Sequence, residues 1–359
     1  MVDVMQRANL GASVADSFDD ELKRESMEGH WFRDDGAEER RIYNPDPYTS
    51  VLPHVWKWEV IHRHLLTAGD VHGLEGLADR RTLRLINPAY KNATPRRNRT
   101  TTHTIQMSVQ LLKKGEIASS HRHNFGAFRF IVEGSGAYTV VEGEKFMMEP
   151  GDLILNPPWH WHGHHNDAGP IIWLDGLDYP LLHLLQATRW EPYPGDFQNI
   201  KPASESTGAR LGMARPVWED KVSGPLCYKW TDTYATLEAL RESKGSDYDG
   251  VALEYRNPAT GGHTFPTMAC WIQLLRKGEE TKAHRHNHTT IYHAFRGEGA
   301  TVINGTEYKW SQGDCFVVPS WAWHKHINGS SKNEAILFSQ NDMPMMEALQ
   351  LWEEQPYEG

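Results

Sequence analysis

Short runs of β-branched and aromatic residues dominate the chain, and apolar and polar positions alternate along them. Each run is bounded by Gly, Pro or Asp, a pattern typical of β-strands that end in turns. Because the runs follow one another closely, the chain between them is too short for crossover helices, which predicts antiparallel sheets in a barrel or sandwich. In the first half the predicted strands are Gln106–Leu112, Ala127–Val132, Ala137–Val141, Asp152–Asn156 and Ile171–Leu174.

Helices are predicted in two segments. One is Ser17–Glu28, and the other begins near the C-terminus, where Asp342 can cap a helix that is entered through Pro344. One face of this second helix would carry Met346, Leu349 and Trp352. The stretch from Arg189 to Glu219 shows neither periodicity and is predicted to be a linker.

The chain repeats itself, with the second copy of each motif roughly 160 residues after the first. The repeated motifs are Lys57-Trp58 and Lys229-Trp230, His121-Arg122-His123 and His284-Arg285-His286, Gly151-Asp152 and Gly313-Asp314, and Trp159-His160-Trp161-His162 and Trp321-Ala322-Trp323-His324. So many matches in one order indicate a tandem duplication. We therefore expect an arm with helices over residues 1–95, a first barrel over 96–188, a linker and lead-in over 189–262, and a second barrel with a C-terminal helix over 263–359.

Composition narrows the class of partner. The formal net charge of -10 disfavours nucleic acid and anionic membrane surfaces, so an anionic small substrate would need a local cation. The three cysteines are scattered, which argues against a disulfide framework or a thiolate metal site. Residues 1–20 lack the apolar core of a signal peptide, and we find no apolar run long enough to span a membrane. We expect a cytoplasmic protein.

Histidines at alternate positions suggest a metal centre. His121 and His123 project from the same face of a strand, and His162 on a later strand would complete a set of three imidazoles. Three neutral nitrogens suit a divalent first-row metal such as iron(II) and leave coordination positions open. The alternative is that these are ordinary core or surface histidines. The duplicate positions, which would form a second centre, are His284, His286 and His324.

From about Pro53 to Met343 the sequence resembles the cupin superfamily, and within it the bicupin ring-cleaving dioxygenases that act on gentisate, salicylate and 1-hydroxy-2-naphthoate. The resemblance implies an all-β protein of two tandem jelly-roll barrels, or double-stranded β-helices, with a helical N-terminal arm. The general cupin motif has a glutamate ligand where Ala127 and Thr290 stand here. Loss of this carboxylate is similar to the gentisate-type enzymes, which bind iron(II) through histidines alone. The stretches that carry the resemblance are residues 121–134, 159–162 and 173–178.

Arg129 shares the barrel-facing side of its strand with the histidines by alternation. A buried guanidinium needs an anion, and its planar fork matches a carboxylate, so Arg129 is predicted to hold a substrate carboxylate, which agrees with the role of this position in the family. A structural salt bridge is the alternative. The second half has Tyr292 at this position, so we expect the first barrel to be the working site.

Further candidates surround this site. His164 follows His162 by two residues and is a candidate acid or base, and Asp175 matches a family aspartate near the substrate hydroxyl, with a loop or capping role as its alternative. Gln110 matches a pocket glutamine of the family, and its counterpart in the second half, Gln273, makes a structural role the alternative. The remaining candidates for substrate binding are Gln106, Ser108 and Arg84.

The resemblance implies that O2 is inserted between the carboxyl-bearing and hydroxyl-bearing ring carbons of an aromatic hydroxy acid. Gentisate, giving maleylpyruvate, is the first expectation. Because Gln106 and Ser108 depart from the pattern of gentisate enzymes, salicylate, a substituted salicylate and 1-hydroxy-2-naphthoate are the alternatives. A non-oxidative cupin isomerase or decarboxylase and a non-catalytic bicupin are the rivals from other classes. The family also suggests a homotetramer.

Overall fold

The computed structural model describes residues 17–27, 29, 45–74, 81–202, 227–257 and 260–358. The chain divides into two compact units, Met1–Tyr48 and Thr49–Gly359. In the first unit, residues 17–24 form helix α1, which confirms the start of the helix predicted for Ser17–Glu28, whereas Glu28 itself lies outside the described residues. The second unit contains both histidine clusters.

The second unit consists mainly of strands. Its helices are α2 (Trp58–Val71), α3 (Tyr179–Leu184), α4 (Trp230–Leu240) and α5 (Met343–Ala348). The strands of its first half are β1 (His54–Trp56), β2 (Thr82–Arg84), β3 (Gln106–Leu112), β4 (Ile117–His123), β5 (Ala127–Glu133), β6 (Ala137–Val141), β7 (Glu144–Met147), β8 (Leu153–Asn156), β9 (His162–Asn166), β10 (Ile171–Leu177) and β11 (Trp190–Pro192). Those of the second half are β12 (Cys227–Tyr228), β13 (Val251–Glu254), β14 (Ala269–Leu275), β15 (His284–His286), β16 (Thr290–Arg296), β17 (Glu298–Ile303), β18 (Thr306–Ser311), β19 (Cys315–Val318), β20 (His324–Ile327), β21 (Ala335–Asn341) and β22 (Glu354–Pro356).

Each half folds as two antiparallel sheets that pack face to face. In the first barrel the sheet β12-β8-β5-β10-β3-β2 packs on β11-β4-β9-β6-β7, and in the second β1-β19-β16-β21-β14-β13 packs on β18-β17-β20-β15-β22. Apolar residues from both sheets fill the interior of each half, among them Ile131 and Phe146 in the first and Leu337 and Trp310 in the second. The prediction of two tandem jelly-roll barrels is confirmed, although neither barrel closes into one continuous sheet.

The two six-stranded sheets pack against each other through their outer faces. On β5, Ile131 points into the first barrel, whereas Phe128 and Phe130 alternate to the opposite face. There the ring of Phe130 stacks on that of Phe338 from the second barrel, with centroids 4.0 Å apart. Because large side chains each contribute about 1.5–3 kcal/mol when fully buried, this shared core holds the barrels together and leaves the inner faces for chemistry.

The lead-in strands are exchanged between the barrels. Strand β1 pairs with β19 of the second barrel, and β12 pairs with β8 of the first. The Lys57 ammonium lies 2.7 Å from Asp314, while Lys229 pairs with Asp152 in the same way. Each Lys-Trp motif therefore pairs with the Gly-Asp motif of the other half of the chain.

This exchange departs from the boundaries that the sequence suggested. Residues 54–56, expected in the N-terminal arm, belong to the second barrel's sheet, and residues 227–228, expected in the linker, belong to the first barrel's sheet. Within the stretch predicted as a linker, Trp190–Pro192 forms β11 and pairs with β4. Pairing between strands distant in the sequence decides these memberships, and a period-2 pattern carries no information about the partner.

The C-terminal helix α5 starts where it was predicted but is shorter, so Leu349 and Trp352 lie beyond it. Asp342 precedes it without capping it through its side chain. Its carboxylate instead accepts hydrogen bonds from the Thr289 backbone N–H and from the Thr104 hydroxyl of the first barrel. Asp342 therefore occupies the predicted N-cap position, but partners in the tertiary structure take up its side chain, so that it makes no capping hydrogen bond. Among the helices of the described residues, none is long and apolar enough to cross a membrane.

Candidate active site

Three histidines meet inside the first barrel. Strand β4 carries His121 and His123 on one face, and β9 begins with His162, which is the cross-strand partner of His121. All three side chains are buried, and their nearest ring nitrogens lie within 4.8 Å of one another. The sequence prediction of a three-histidine cluster is confirmed.

The outer nitrogen of each ring is held by a backbone carbonyl. Nδ1 of His121 lies 3.2 Å from the Ser119 oxygen, Nδ1 of His123 lies 2.7 Å from that of Phe125, and Nδ1 of His162 lies 2.9 Å from that of His160. A carbonyl can only accept, so each Nδ1 carries the proton and each Nε2 offers a lone pair, the arrangement found around metal-bound histidines.

The protonation state of His162 also suits a metal. Burial, together with the neighbouring His121 and His123, lowers the pKa of His162 well below its usual range, so the ring is neutral. Its Nε2 is buried and has no hydrogen-bond partner among the described residues. Three imidazoles without a carboxylate, since Ala127 occupies the position of the usual cupin glutamate, fit a divalent first-row metal with open positions.

Arg129 reaches the same interior from β5. Its side chain is 4% exposed, and its Nε lies 3.1 Å from Oδ1 of Asp175, its direct cross-strand neighbour on β10. Burial lowers the pKa of the guanidinium and the Asp175 charge opposes that effect; an arginine remains protonated under such conditions. Nη1 is buried and has no hydrogen-bond partner in the described part of the chain. The guanidinium is thus anchored on one side and has donors to offer on the other.

Asp175 is itself held in place. The Trp173 indole N–H donates to its Oδ1 over 3.0 Å, so one carboxylate oxygen meets both the indole and the guanidinium. The alternative raised for Arg129 therefore describes part of what is found, because Arg129 does form a structural ion pair. Asp175 lies within strand β10, not in a loop or a cap, and it orients a neighbour. Neither contact uses Nη1 of Arg129.

The other candidates for substrate binding, Gln110, Ser108 and Arg84, lie on the neighbouring strands β3 and β2. Gln110 accepts from the Thr82 hydroxyl over 3.2 Å, and its amide nitrogen is buried without a partner among the described residues. Ser108 lies opposite Asp175 on one side and Arg84 on the other. Arg84 donates to the Tyr179 hydroxyl over 3.3 Å.

Gln106 differs from its expected role as a pocket residue. Its amide oxygen accepts from the backbone N–H of Thr101, and its amide nitrogen donates to the Leu85 carbonyl over 3.2 Å. The amide group therefore ties the start of β3 to the preceding loop. Alternation along the strand places the residue on the inner face, but hydrogen bonds at the strand end turn its polar group away.

His164 is fully buried on β9, two residues after His162 as predicted. Its ring centroid lies 5.1 Å from that of Trp173 and 6.5 Å from that of His162. The same strand thus presents one ring to the metal position and a second, buried ring beside Trp173.

Asn156 is a site residue that the sequence analysis missed. It ends β8 opposite Ala127, and it shares the inner face with Ile154, while Leu153 and Leu155 pack in the core between the barrels. Both amide atoms are buried without a hydrogen-bond partner among the described residues. A buried polar group normally finds partners, so this amide is suited to a ligand in the barrel. The available signal was the alternation of β8, which places a polar residue inside.

The second barrel contains the duplicate cluster of His284, His286 and His324, and these residues are likewise buried with ring nitrogens within 4.8 Å of one another. Tyr292 and Ser339 form the cross-strand pair that corresponds to Arg129 and Asp175. The guanidinium is therefore specific to the first barrel.

Comparisons with known proteins agree with this geometry. The Cupin domain family matches residues 108–176 and again residues 271–340. A 5-aminosalicylate 1,2-dioxygenase from Comamonas sp is 42% identical over 87% of this chain and 83% of its own length. A 1-hydroxy-2-naphthoate 1,2-dioxygenase from Nocardioides sp. (strain KP7) is 36% identical over 98% of this chain and 92% of its own length.

A solved structure extends the comparison to the fold. A point mutant of the salicylate 1,2-dioxygenase from Pseudoaminobacter salicylatoxidans, in complex with gentisate, superimposes with a TM-score of 0.85 at 31% identity, covering 96% of this chain and 95% of that one. These relatives are oxygen-using enzymes, which counts against the non-catalytic and non-oxidative alternatives. The chain belongs to the bicupin 1,2-dioxygenase family of the gentisate, salicylate and 1-hydroxy-2-naphthoate enzymes.

Proposed function

We propose that this protein is an iron(II)-dependent 1,2-dioxygenase that cleaves the ring of an aromatic ortho-hydroxy acid, with gentisate as the first candidate. The observation that carries the proposal is the buried guanidinium of Arg129, which shares a barrel interior with three histidines and has Nη1 donors to spare. A carboxylate beside a metal position is the ligand that this arrangement favours.

The charges inside the barrel support a dianionic substrate. Iron(II) on His121, His123 and His162 would add two positive charges, while the charges of Arg129 and Asp175 offset each other. A hydroxy acid bound through its carboxylate and its deprotonated hydroxyl would neutralise that excess. Substrate binding is thereby coupled to the presence of the metal.

The chain's own residues account for orientation and proton transfer. Arg129 holds the carboxylate, and Asp175 with Trp173 keeps the guanidinium plane fixed, so the substrate is presented in one orientation. His164, buried two residues after His162 on the same strand, would take the proton of the substrate hydroxyl, while Asp175 serves as a positioning residue. Gln110 and Ser108 complete the polar wall, and Arg84 provides a second cation. When bound, iron(II) would supply the electronic link between the aromatic ring and O2.

An electron-donating substituent on the ring eases its oxidation, which favours gentisate over salicylate. The Comamonas relative gives a specific reason to test a second substrate, 5-aminosalicylate, since its ring also carries a donor group. Salicylate and 1-hydroxy-2-naphthoate complete the set of alternatives.

The test is oxygen uptake by protein loaded with iron(II) under anaerobic conditions and offered each of the four substrates in parallel. We expect uptake of O2 in equal amount to the substrate consumed, with an ultraviolet spectrum of an opened ring. Product formation without O2 uptake would contradict the proposal. Uptake with 5-aminosalicylate but not gentisate would reassign the substrate and keep the reaction class.

We further propose a homotetramer in the cytoplasm. Apolar side chains exposed around α3 and α5, including Leu184, Leu185 and Leu351, support association, and the three free cysteines support a reducing compartment. Light scattering coupled to size exclusion would test the subunit number.

A further inference from the structure

The histidine cluster of the second barrel has the features of a metal site in its own right. His284 and His324 are cross-strand partners on β15 and β20, and their ring centroids lie 4.3 Å apart. The ring of His286 lies 4.8 Å from that of His324. The Nε2 atoms of His284 and His324 are buried and have no hydrogen-bond partner among the described residues. Two buried lone pairs that point into a shared space are costly unless a cation meets them.

The outer nitrogens of this cluster are also held, and one of them by a carboxylate. Nδ1 of His286 lies 2.9 Å from the His288 carbonyl, and Nδ1 of His324 lies 2.9 Å from the Ala322 carbonyl. Nδ1 of His284 instead lies 2.7 Å from Oε1 of Glu354. A carboxylate behind an imidazole makes the opposite nitrogen a stronger ligand.

Glu354 comes from the C-terminal strand β22, which pairs with β15. The corresponding residue of the first barrel, Trp190 on β11, packs its ring 5.8 Å from that of His121 and offers no carboxylate. In the second cluster the residue at this position is a carboxylate, and it holds the ring of His284.

The charges around the two clusters differ accordingly. Glu354 lies behind His284 and would balance one of the two charges of a dication. In the first barrel that balance requires a bound anion.

The second cluster has no arginine at the position that corresponds to Arg129. Tyr292 stands there and stacks on Phe316 with ring centroids 4.8 Å apart, and Ser339 stands in the place of Asp175. A metal here would lack that guanidinium as a partner for an anionic substrate.

We propose that His284, His286 and His324 bind a second divalent first-row metal, which serves as a structural centre and ties strand β22 to the barrel through Glu354. This site does not cleave substrate. The inference is independent of the proposed function, because it depends on residues of the second barrel alone.

The experiment counts metal per chain after anaerobic loading with iron(II) and removal of excess, using elemental analysis. We expect two ions in the wild-type protein, one in the H121A/H123A variant and one in the H284A/H324A variant. Circular dichroism would show which variants remain folded. One ion in the wild type with none in folded H121A/H123A would overturn the proposal.

The role of Glu354 is tested where only the second site remains. In the H121A/H123A background, cobalt(II) is titrated and its visible absorption is followed. Glu354→Gln should weaken cobalt affinity roughly 10- to 100-fold, whereas Glu353→Gln, which alters the neighbouring carboxylate, should leave it unchanged. Equal affinities in the two variants would contradict the linkage. In the otherwise wild-type chain, E354Q should keep its oxygen uptake, and failure of uptake in every form would count against the proposed function alone.

Discussion

Arg129 and Asp175 oppose each other on strands β5 and β10, with Nε and Oδ1 3.1 Å apart and both side chains buried. The pair fixes a guanidinium beside the three-histidine cluster while Nη1 stays available to a ligand. A buried ion pair adds little net stability, but removing one partner leaves the other charge uncompensated. We therefore expect substitution of Arg129 to affect mainly catalysis and substitution of Asp175 to affect mainly the stability of the fold.

Arg129→Ala should lower kcat/KM by roughly 10²- to 10³-fold, because the substrate loses the donors that orient its carboxylate. Arg129→Lys should recover only part of this loss, since an ammonium has no planar fork. Steady-state kinetics on iron-loaded protein provides the measurement, and iron content should equal that of the wild type. Unchanged kinetics in the alanine variant would remove Arg129 from substrate binding.

Asp175→Asn should destabilise the fold by about 3–5 kcal/mol, because it leaves the buried guanidinium without its counter-charge. It should also raise KM more than it lowers kcat, since the carboxylate acts by positioning Arg129. Urea unfolding and the separate kinetic constants would be measured together. A large fall in kcat at constant KM would instead indicate that Asp175 transfers a proton.

Asn156→Ala should leave the free energy of unfolding unchanged or slightly higher, because the buried amide makes no hydrogen bond within the described residues. If the amide binds substrate, kcat/KM should fall about tenfold, which corresponds to one hydrogen bond of about 1.5 kcal/mol. Comparing gentisate with salicylate would show whether the lost bond involves the additional ring substituent. A loss of stability without a kinetic effect would assign Asn156 a structural role.

We expect the buried carboxyl of Asp178 to make the free energy of unfolding depend on pH. Burial raises the pKa of this carboxyl to about 6, and the hydrogen bond from the Thr267 hydroxyl of the second barrel partly opposes the shift. The folded protein therefore binds more protons than the unfolded chain between its usual pKa, 3.8, and pH 6, so the Asp178 contribution to stability falls as pH rises through this window. The fall should be about 3 kcal/mol at most.

Asp178→Asn should remove that decline. Urea midpoints measured from pH 4 to pH 8 should give a difference between the variant and the wild type that grows in favour of the variant up to about pH 6 and then levels off. Taking the difference cancels the titration of all other groups. A constant difference across this range would show that Asp178 titrates normally.

Local patterning was enough to predict the duplicated β architecture and the histidine clusters. Side chains on a strand alternate with a period of two, so His121, His123 and Arg129 could be assigned to the inner face from the sequence, and the repeat located their counterparts. The resemblance of the same motifs to a known family then supplied the reaction class.

What lies beyond local pattern was decided by contacts between residues far apart in the chain. The exchange of β1 and β12, the carboxylate of Glu354 behind His284, and the use of Gln106 in a loop contact all depend on which strands become neighbours. Alternation determines the face of a strand on which a residue lies, because the backbone geometry is local. Which groups it meets there depends on strand pairing and packing, and in this protein only the tertiary structure determined those.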